Sequence, residues 1–186
     1  EVSDTCPEHI SDYLLTHFKL NKSELYQVKG PVNLVRLMAV PNMVDRPDLK
    51  FLPRISSLPK RLSKRQSVIS AARRGDLLLH HPYQSFEPVV RFIRQAAADP
   101  DVVAIKMTIY RTSTDSKLGE ALMNAALAGK QVTVVVELMA RFDEANNVSW
   151  AQQLENAGAH VVYGVFGYKV HAKMALVIRR EEGVLK

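Results

Sequence analysis

The sequence lacks the residues and patterns that mark several classes of protein. Cys6 is its only cysteine, which excludes an internal disulfide and fits a reducing compartment. No apolar run approaches the roughly 18 residues that a membrane span needs. The histidines form no HxxxH or HExxH pair, so no zinc site is indicated. A Walker A loop and a GxGxxG motif are also missing, which argues against a P-loop or dinucleotide fold.

Acidic residues are also in deficit. There are 19 of them against 25 Lys and Arg, giving a net charge of +6 and a pI near 9.5. Between residues 54 and 75 the chain has seven basic residues and no acid: Arg54, Lys60, Arg61, Lys64, Arg65, Arg73 and Arg74. This run is typical of a solvated linker, but a loop that faces phosphate would have the same composition. Both interpretations stay open.

The helix and strand patterns become more regular after about residue 75, and we expect two domains, 1–75 and 76–186. Apolar residues at helical spacing predict a helix over 8–18, and Pro31 is placed to open a second one. Four prolines then punctuate an irregular stretch, so the first part is a mostly helical, partial domain. The chain has no initiator Met and ends soon after an apolar pattern, so we expect a piece of a longer protein.

Residues 76–186 alternate between strand and helix patterns. Strands are predicted at 76–79, 102–110, 131–138, 159–163 and 168–178, and helices at 86–98, 118–128 and 147–157. Ser85 is placed to cap the first of these helices, and glycines follow the other two. Such alternation predicts an α/β domain with a mainly parallel, layered sheet.

A histidine and a lysine fall two residues apart in the last predicted strand. Alternation would place the apolar set Val170, Ala172, Met174, Leu176 and Ile178 on the core face. His171 and Lys173 would then project together from the other face, about 6.5–7 Å apart. A neutral imidazole is a good nucleophile toward phosphorus, and the lysine supplies a positive charge beside it. A structural role for the histidine is the alternative.

Two arginines follow the carboxyl ends of predicted strands. Arg111 comes after the strand at 102–110, and Arg141 comes after the strand at 131–138. Ligands of open parallel sheets bind beyond these strand ends, so both guanidinium groups could grip one anion. Alternatively, each arginine pairs with a nearby carboxylate such as Asp115 or Asp143.

Three acidic residues lie in the same region. Asp143 and Glu144, with Glu137 nearby, are the carboxylates best placed to approach a Mg²⁺ ion, which takes few protein ligands and fills its shell with water and phosphate oxygens. A salt bridge to Arg141 is the alternative role for these residues.

Three segments of this region resemble the long-form polyphosphate kinase family: Ala104–Arg111, Val134–Glu144 and Gly167–Met174. His81–Phe86 is similar to that family's PYxSF-type segment. By this resemblance, residues 1–75 are the end of the helical middle domain, and 76–186 are most of the first catalytic C-terminal domain, similar in fold to phospholipase D.

The resemblance implies a reversible transfer of the terminal phosphate of ATP to inorganic polyphosphate through a phosphohistidine. His171 matches the phosphorylated position, and Lys173 would stabilise charge beside it. Arg111 and Arg141 match positions associated with the Mg²⁺-bound phosphate site. Because a guanidinium group is a poor metal ligand, we interpret both arginines as phosphate-binding. Mg²⁺ is the implied cofactor, and ATP, ADP and polyphosphate are the implied partners.

Further expectations follow from the resemblance. We expect the full-length protein to be a cytoplasmic homo-oligomer with no nucleic-acid partner. Peripheral membrane association is compatible with the resemblance. The family's other domains are absent, so this chain alone should be inactive. One alternative is a phospholipase-D-like phosphodiesterase, although Ile178 stands where the HxKxxxxD motif requires aspartate. Another is a noncatalytic module that binds polyanions.

Overall fold

The computed structural model describes residues 1–62, 66–111 and 116–186. The chain divides into two compact units, Glu1–Pro53 and Arg54–Lys186. The domain boundary after residue 75 stays a prediction. Two members of the basic run, Lys64 and Arg65, lie outside the described residues, as does Asp115, a suggested partner for arginine.

The first unit contains the helix expected over residues 8–18. Helix α1 spans Glu8–Phe18 and ends where Lys19 adopts a left-handed conformation. Strand β1 (Val2–Ser3) pairs in parallel with strand β2 (Gln27–Val28). Short 3₁₀ turns make up most of the remaining regular structure, in agreement with the partial, mostly helical unit expected.

The second predicted helix is wrong in its start and its type. A 3₁₀ helix begins at Leu34 rather than at Pro31, spans Leu34–Ala39, and is followed by a short α-helix, α2, at Val40–Met43. Pro41 explains the break. It has no N–H to donate to the carbonyl four residues earlier, so one continuous α-helix cannot run through this position.

The second unit is a sheet with helices packed against it. Its helices are α3 (Val68–Arg73), α4 (Glu87–Ala98), α5 (Lys117–Leu127) and α6 (Glu144–Asn156), and its strands are β3 (Val102–Ile109), β4 (Gln131–Val136), β5 (His160–Tyr163), β6 (Ala175–Glu181) and β7 (Val184–Leu185). None of the helices in the described ranges is long and apolar enough to cross a membrane.

The α/β class is confirmed, and the sheet is mixed. Its strand order is β5-β4-β3-β6-β7, in which β3, β4 and β5 run parallel while β6 and β7 form antiparallel pairs. A parallel strand needs a crossover connection, usually through a helix. No helix lies between β5 and β6, which agrees with the antiparallel arrangement of β6.

Local sequence signals mark the bounds of α4 and α5, whereas α6 begins at Glu144, three residues before the predicted start at 147. The Ser85 hydroxyl accepts a hydrogen bond from the Glu87 N–H at the start of α4 (3.1 Å). The Ser116 hydroxyl does the same for the Gly119 N–H in the first turn of α5 (3.2 Å). Gly129, which follows α5, has φ of 81°, a conformation that favours glycine. The hydrogen bonds to these two serines and the left-handed glycine therefore mark where α4 begins and where α5 begins and ends.

The core lies between one face of the sheet and helices α4, α5 and α6. Fully buried side chains from each layer meet there, including Ile93, Leu122, Val134 and Leu154. Helices α5 and α6 approach each other closely at Gly119. A β-carbon added to Gly119 would lie 2.3 Å from the ring of Trp150, which is itself buried. Glycine at this position lets the two helices pack closely.

Gly119→Ala should therefore destabilise the second unit, although alanine is normally the better helix former by about 1 kcal/mol. The buried Trp150 ring cannot swing away, so we expect a net loss of about 1–3 kcal/mol in the free energy of unfolding. Chemical denaturation would measure it. Asn124→Ala, on the exposed side of the same helix, is the control and should be neutral or slightly stabilising. Equal stability of wild type and Gly119→Ala would contradict the prediction.

An ion-pair network fixes the start of β3 against β6. The Arg179 guanidinium group donates to Asp99 (2.9 Å), Asp101 (2.7 Å) and Glu181 (3.0 Å). Burial acts to raise the pKa of Asp99, but the hydrogen bonds from Arg179 and from a backbone N–H, with nearby positive charge, lower it overall. The network therefore prefers the ionised carboxylates.

The strand predicted at 76–79 is wrong. Leu77 and Leu79 pack against a small cluster formed by Leu62, Val68 and Ala71, whereas Leu78 is 92% exposed. The apolar segment contacts helix α3 with alternate side chains and is not assigned to a strand. The apolar residues that suggested a strand therefore serve to pack this segment against a helix.

The last predicted strand is also wrong in its start and in its core face. Strand β6 begins at Ala175, so His171 and Lys173 precede it. Leu176, expected in the core, is 56% exposed, and Val177 packs against the core instead. Ladder pairing with β3 stops at Met107 and Ala175. The preceding residues keep one backbone bond, from the Thr108 N–H to the Met174 carbonyl, and otherwise bond to the side chains of Thr108 and Glu137. This departure sets the position of the candidate site.

Candidate active site

A cleft of about 650 Å³ opens at the carboxyl end of β3, within the second unit. Phe86, Val89 and Leu118, from the starts of α4 and α5, contribute an apolar wall. Arg111 and the pair His171 and Lys173 contribute the titratable and charged side chains, together with Tyr110. Among the described lining residues there is no carboxylate, so the polar side of the cleft suits an anion.

The ring of Tyr110 organises the charged side chains. The His171 ring packs edge-on against it, with centroids 4.6 Å apart and an interplanar angle of 80°. The Lys173 ammonium lies 4.4 Å from the same centroid and donates to the His171 carbonyl at 2.6 Å. Arg111 approaches the ring at 5.2 Å. The structure thus brings His171, Lys173 and Arg111 together, although the first two lie outside the predicted strand.

Arg111 also holds the loop that follows β4. Its Nε lies 2.8 Å from Asp143 Oδ2, and its Nη2 donates to the Arg141 carbonyl at 2.9 Å. The pairing of Arg111 with Asp143 left open by the sequence is therefore present. Arg141 is exposed and is not among the described residues that line the cleft. The side chain of Arg111 therefore contacts the main chain of Arg141.

The acidic residues of this region have different surroundings. Glu137 is only 5% exposed, and its two oxygens accept hydrogen bonds from the Met139 and Val170 N–H groups (2.9 and 2.7 Å). Asp143 is paired with Arg111, and Glu144 is the exposed first residue of α6. Within the described part of the chain, no group of three or more His, Cys, Asp or Glu side chains converges on one point.

One residue of the site was missed by sequence reasoning. Asn147 is fully buried in α6, and its amide nitrogen donates to the carbonyls of Tyr110 (2.8 Å) and Glu137 (2.9 Å). It ties together the ends of β3 and β4. A polar residue on an otherwise apolar helix face was its only signal.

Relatives of known name match the whole chain. It is 73% identical over 186 residues to the polyphosphate kinase of Neisseria meningitidis serogroup C, and the match covers 100% of this chain and 27% of that protein. It is 58% identical over 180 residues to the polyphosphate kinase of Burkholderia vietnamiensis, covering 97% of this chain and 26% of that protein. The chain thus spans about a quarter of the length of these relatives.

A solved structure and a family model that match this chain are also polyphosphate kinases by description. The crystal structure of polyphosphate kinase from Porphyromonas gingivalis is similar, with a TM-score of 0.68 and 34% sequence identity, over 95% of this chain and 26% of that one. A family model described as polyphosphate kinase C-terminal domain 1 matches residues 67–186. Because that match covers more than half of the residues, the chain belongs to the polyphosphate kinase C-terminal domain 1 family.

Proposed function

We propose that the protein of which this chain is a part transfers the terminal phosphate of ATP to inorganic polyphosphate, reversibly, through a phosphohistidine at His171. One observation carries the proposal: the His171 ring shares a cleft with the cationic groups of Lys173 and Arg111. An imidazole nitrogen supplies the nucleophile, and fixed positive charges stabilise the phosphate oxygens around it. The names of the relatives support the choice of substrates.

The reaction has two displacements at phosphorus. An imidazole nitrogen of His171 attacks the γ-phosphorus, an N–P bond forms, and the bond to the β,γ-bridging oxygen breaks so that ADP leaves. A terminal oxygen of polyphosphate then attacks the same phosphorus, the N–P bond breaks, and the polymer is one phosphate longer. Lys173 and Arg111 neutralise the phosphate charge in both steps. Reversal of the two steps makes ATP from polyphosphate and ADP.

Magnesium enters the proposal through the phosphates. Arg111 and Arg141 are cations and cannot ligate the ion directly, so we assign both to the phosphate oxygens. Glu144 is the exposed carboxylate at this strand edge, whereas Asp143 is paired with Arg111 and both oxygens of Glu137 already accept backbone hydrogen bonds. This donor set fits Mg²⁺, which needs few protein carboxylates. When bound, the ion would neutralise part of the nucleotide's charge.

The remaining expectations are part of the same proposal. We place the full-length protein in the cytoplasm as a homo-oligomer, with ATP, ADP and polyphosphate as partners and with peripheral membrane association open to test. The 186-residue chain alone should be inactive, because it spans about a quarter of its relatives.

Labelling of the full-length protein tests the proposal. Incubation with ATP labelled at the γ-phosphate should give a phosphoprotein that is labile in acid and stable in base, as expected for an N–P bond. Addition of polyphosphate should discharge the label into a longer polymer, and addition of ADP should return it to ATP. Cleavage of simple phosphodiesters without ATP would instead favour the phosphodiesterase. Salt-sensitive polyphosphate binding with no label at all would favour a binding module.

A further inference from the structure

The segment that carries His171 is not part of the sheet. Strand β5 ends at Tyr163 and strand β6 begins at Ala175, so both His171 and Lys173 lie in the connection between them. A backbone outside a strand ladder needs other hydrogen-bond partners to hold one conformation. Two side chains supply them here, one on β3 and one just after β4.

Thr108, on β3, replaces the ladder on the carboxyl-terminal side of His171. Its hydroxyl donates to the Ala172 carbonyl at 2.6 Å and accepts from the Met174 N–H at 2.9 Å. The Thr108 N–H also donates to the Met174 carbonyl at 3.0 Å. One hydroxyl thus bonds to the main chain on both sides of Lys173.

Glu137, just after β4, holds the amino-terminal side. Its Oε2 accepts from the Val170 N–H at 2.7 Å, and its Oε1 accepts from the Met139 N–H at 2.9 Å. The carboxylate is buried, so these bonds are shielded from water and are strengthened by the low dielectric. The buried Asn147 amide fixes the main chain of Glu137 in turn.

We propose that Thr108 and Glu137 are positioning residues for phosphoryl transfer at His171. They hold the main chain at residues 170, 172 and 174, on both sides of the nucleophile. Thr108 also lines the cleft, and the proposal is that it acts through the main chain rather than on the phosphate. This inference rests on the proposed function, in which the His171 ring attacks phosphorus. A displacement of about 1 Å at a reacting group can slow such a step by about 100-fold.

The test is the rate of phosphoenzyme formation in the full-length protein under single-turnover conditions. Thr108→Val keeps the shape of the side chain and removes both hydroxyl bonds, whereas Thr108→Ser keeps the hydroxyl. We expect Thr108→Val to lower the maximal rate about 10- to 100-fold, with the half-saturating ATP concentration changed less than about threefold. Thr108→Ser should stay within about threefold of wild type. Thr133→Val, on strand β4, is the matched control and should behave as wild type.

Glu137→Gln gives an independent measurement that does not depend on how well Thr108→Val folds. Glutamine has the same shape, but its NH₂ group would face one of the two backbone N–H donors. We expect a loss of the maximal rate similar to that of Thr108→Val, again with little change in the half-saturating ATP concentration. Circular dichroism and the melting temperature of each variant identify any loss through unfolding.

The outcomes separate this inference from the proposed function. Equal effects of Thr108→Val and Thr108→Ser, a maximal rate unchanged in both Thr108→Val and Glu137→Gln, or a change confined to the half-saturating ATP concentration would each overturn the positioning role. Phosphoenzyme that persists after His171→Gln would overturn the proposed function itself, whatever the two positioning residues do.

Discussion

His171→Gln in the full-length protein should abolish the labelled phosphoenzyme and lower ATP-dependent polyphosphate synthesis by about 10⁴-fold or more. Glutamine keeps a polar side chain in the cleft but has no ring nitrogen with a free lone pair. With no nucleophile there is no N–P bond, so both displacements fail together. The measurements are the amount of base-stable label and the rate of polymer growth.

The fold should survive this substitution. His171 is exposed, and its edge-on contact with Tyr110 contributes only about 0.5–1.5 kcal/mol. His160→Gln, at an exposed position at the start of β5, is the matched control and should keep full labelling. If label of the same stability still forms on the His171→Gln protein, another residue receives the phosphate and the assignment is wrong.

The elements set by local signals were predictable from the sequence. Helix α1 has its apolar residues at helical spacing, and α5 has a serine cap before it and a left-handed glycine after it. Strand β4 is rich in valine and lies within the predicted range 131–138, although only one of its faces is fully buried, where the valine content predicts burial of both. In each case the residues that determine the helix or strand lie within it or next to it, so the local sequence is enough to predict it.

The start of β6 depends on residues that are remote in sequence. The alternation of apolar residues runs from Tyr168 to Ile178 without a break, and nothing local marks Ala175 as the first strand residue. The ladder stops there because Thr108 and Glu137 bond to the preceding segment, 66 and 33 positions away in the chain. The core face was wrong for the same reason, since the pattern does not say which face the helices cover.

The site was predictable in part. The rule that ligands bind at the carboxyl ends of strands correctly brought Arg111 to the same cleft as His171 and Lys173. It placed the Arg141 side chain there too, which stays a prediction, and the structure brings that residue's carbonyl to Arg111. Glu137 was considered for the metal, and its burial against backbone N–H groups could not be read from spacing alone.

Arg111→Met should lower the rate constant for phosphoenzyme formation at low ATP by about 100- to 1,000-fold, the typical effect of removing one donor from a developing negative charge. Arg111 is the guanidinium group among the described lining residues, and it lies beside the Tyr110 ring that also contacts His171. Arg111→Lys should recover only part of the loss, because an ammonium group is a point charge without the planar fork that grips two phosphate oxygens. Arg180→Met removes the same charge from the exposed surface of β6 and should have little effect.

The two roles of Arg111 can be separated through Asp143. Asp143→Asn leaves the guanidinium group in place but removes the ion pair that ties Arg111 to the loop after β4. Both partners are partly exposed, with side-chain exposures of 50% and 31%, so solvent screens the pair and we expect a loss of only a few-fold. If Asp143→Asn reproduces the full loss of Arg111→Met, then Arg111 acts by holding the loop. If the loss belongs to Arg111→Met alone, its charge acts on the phosphate, as phosphoryl transfer to a neighbouring histidine requires.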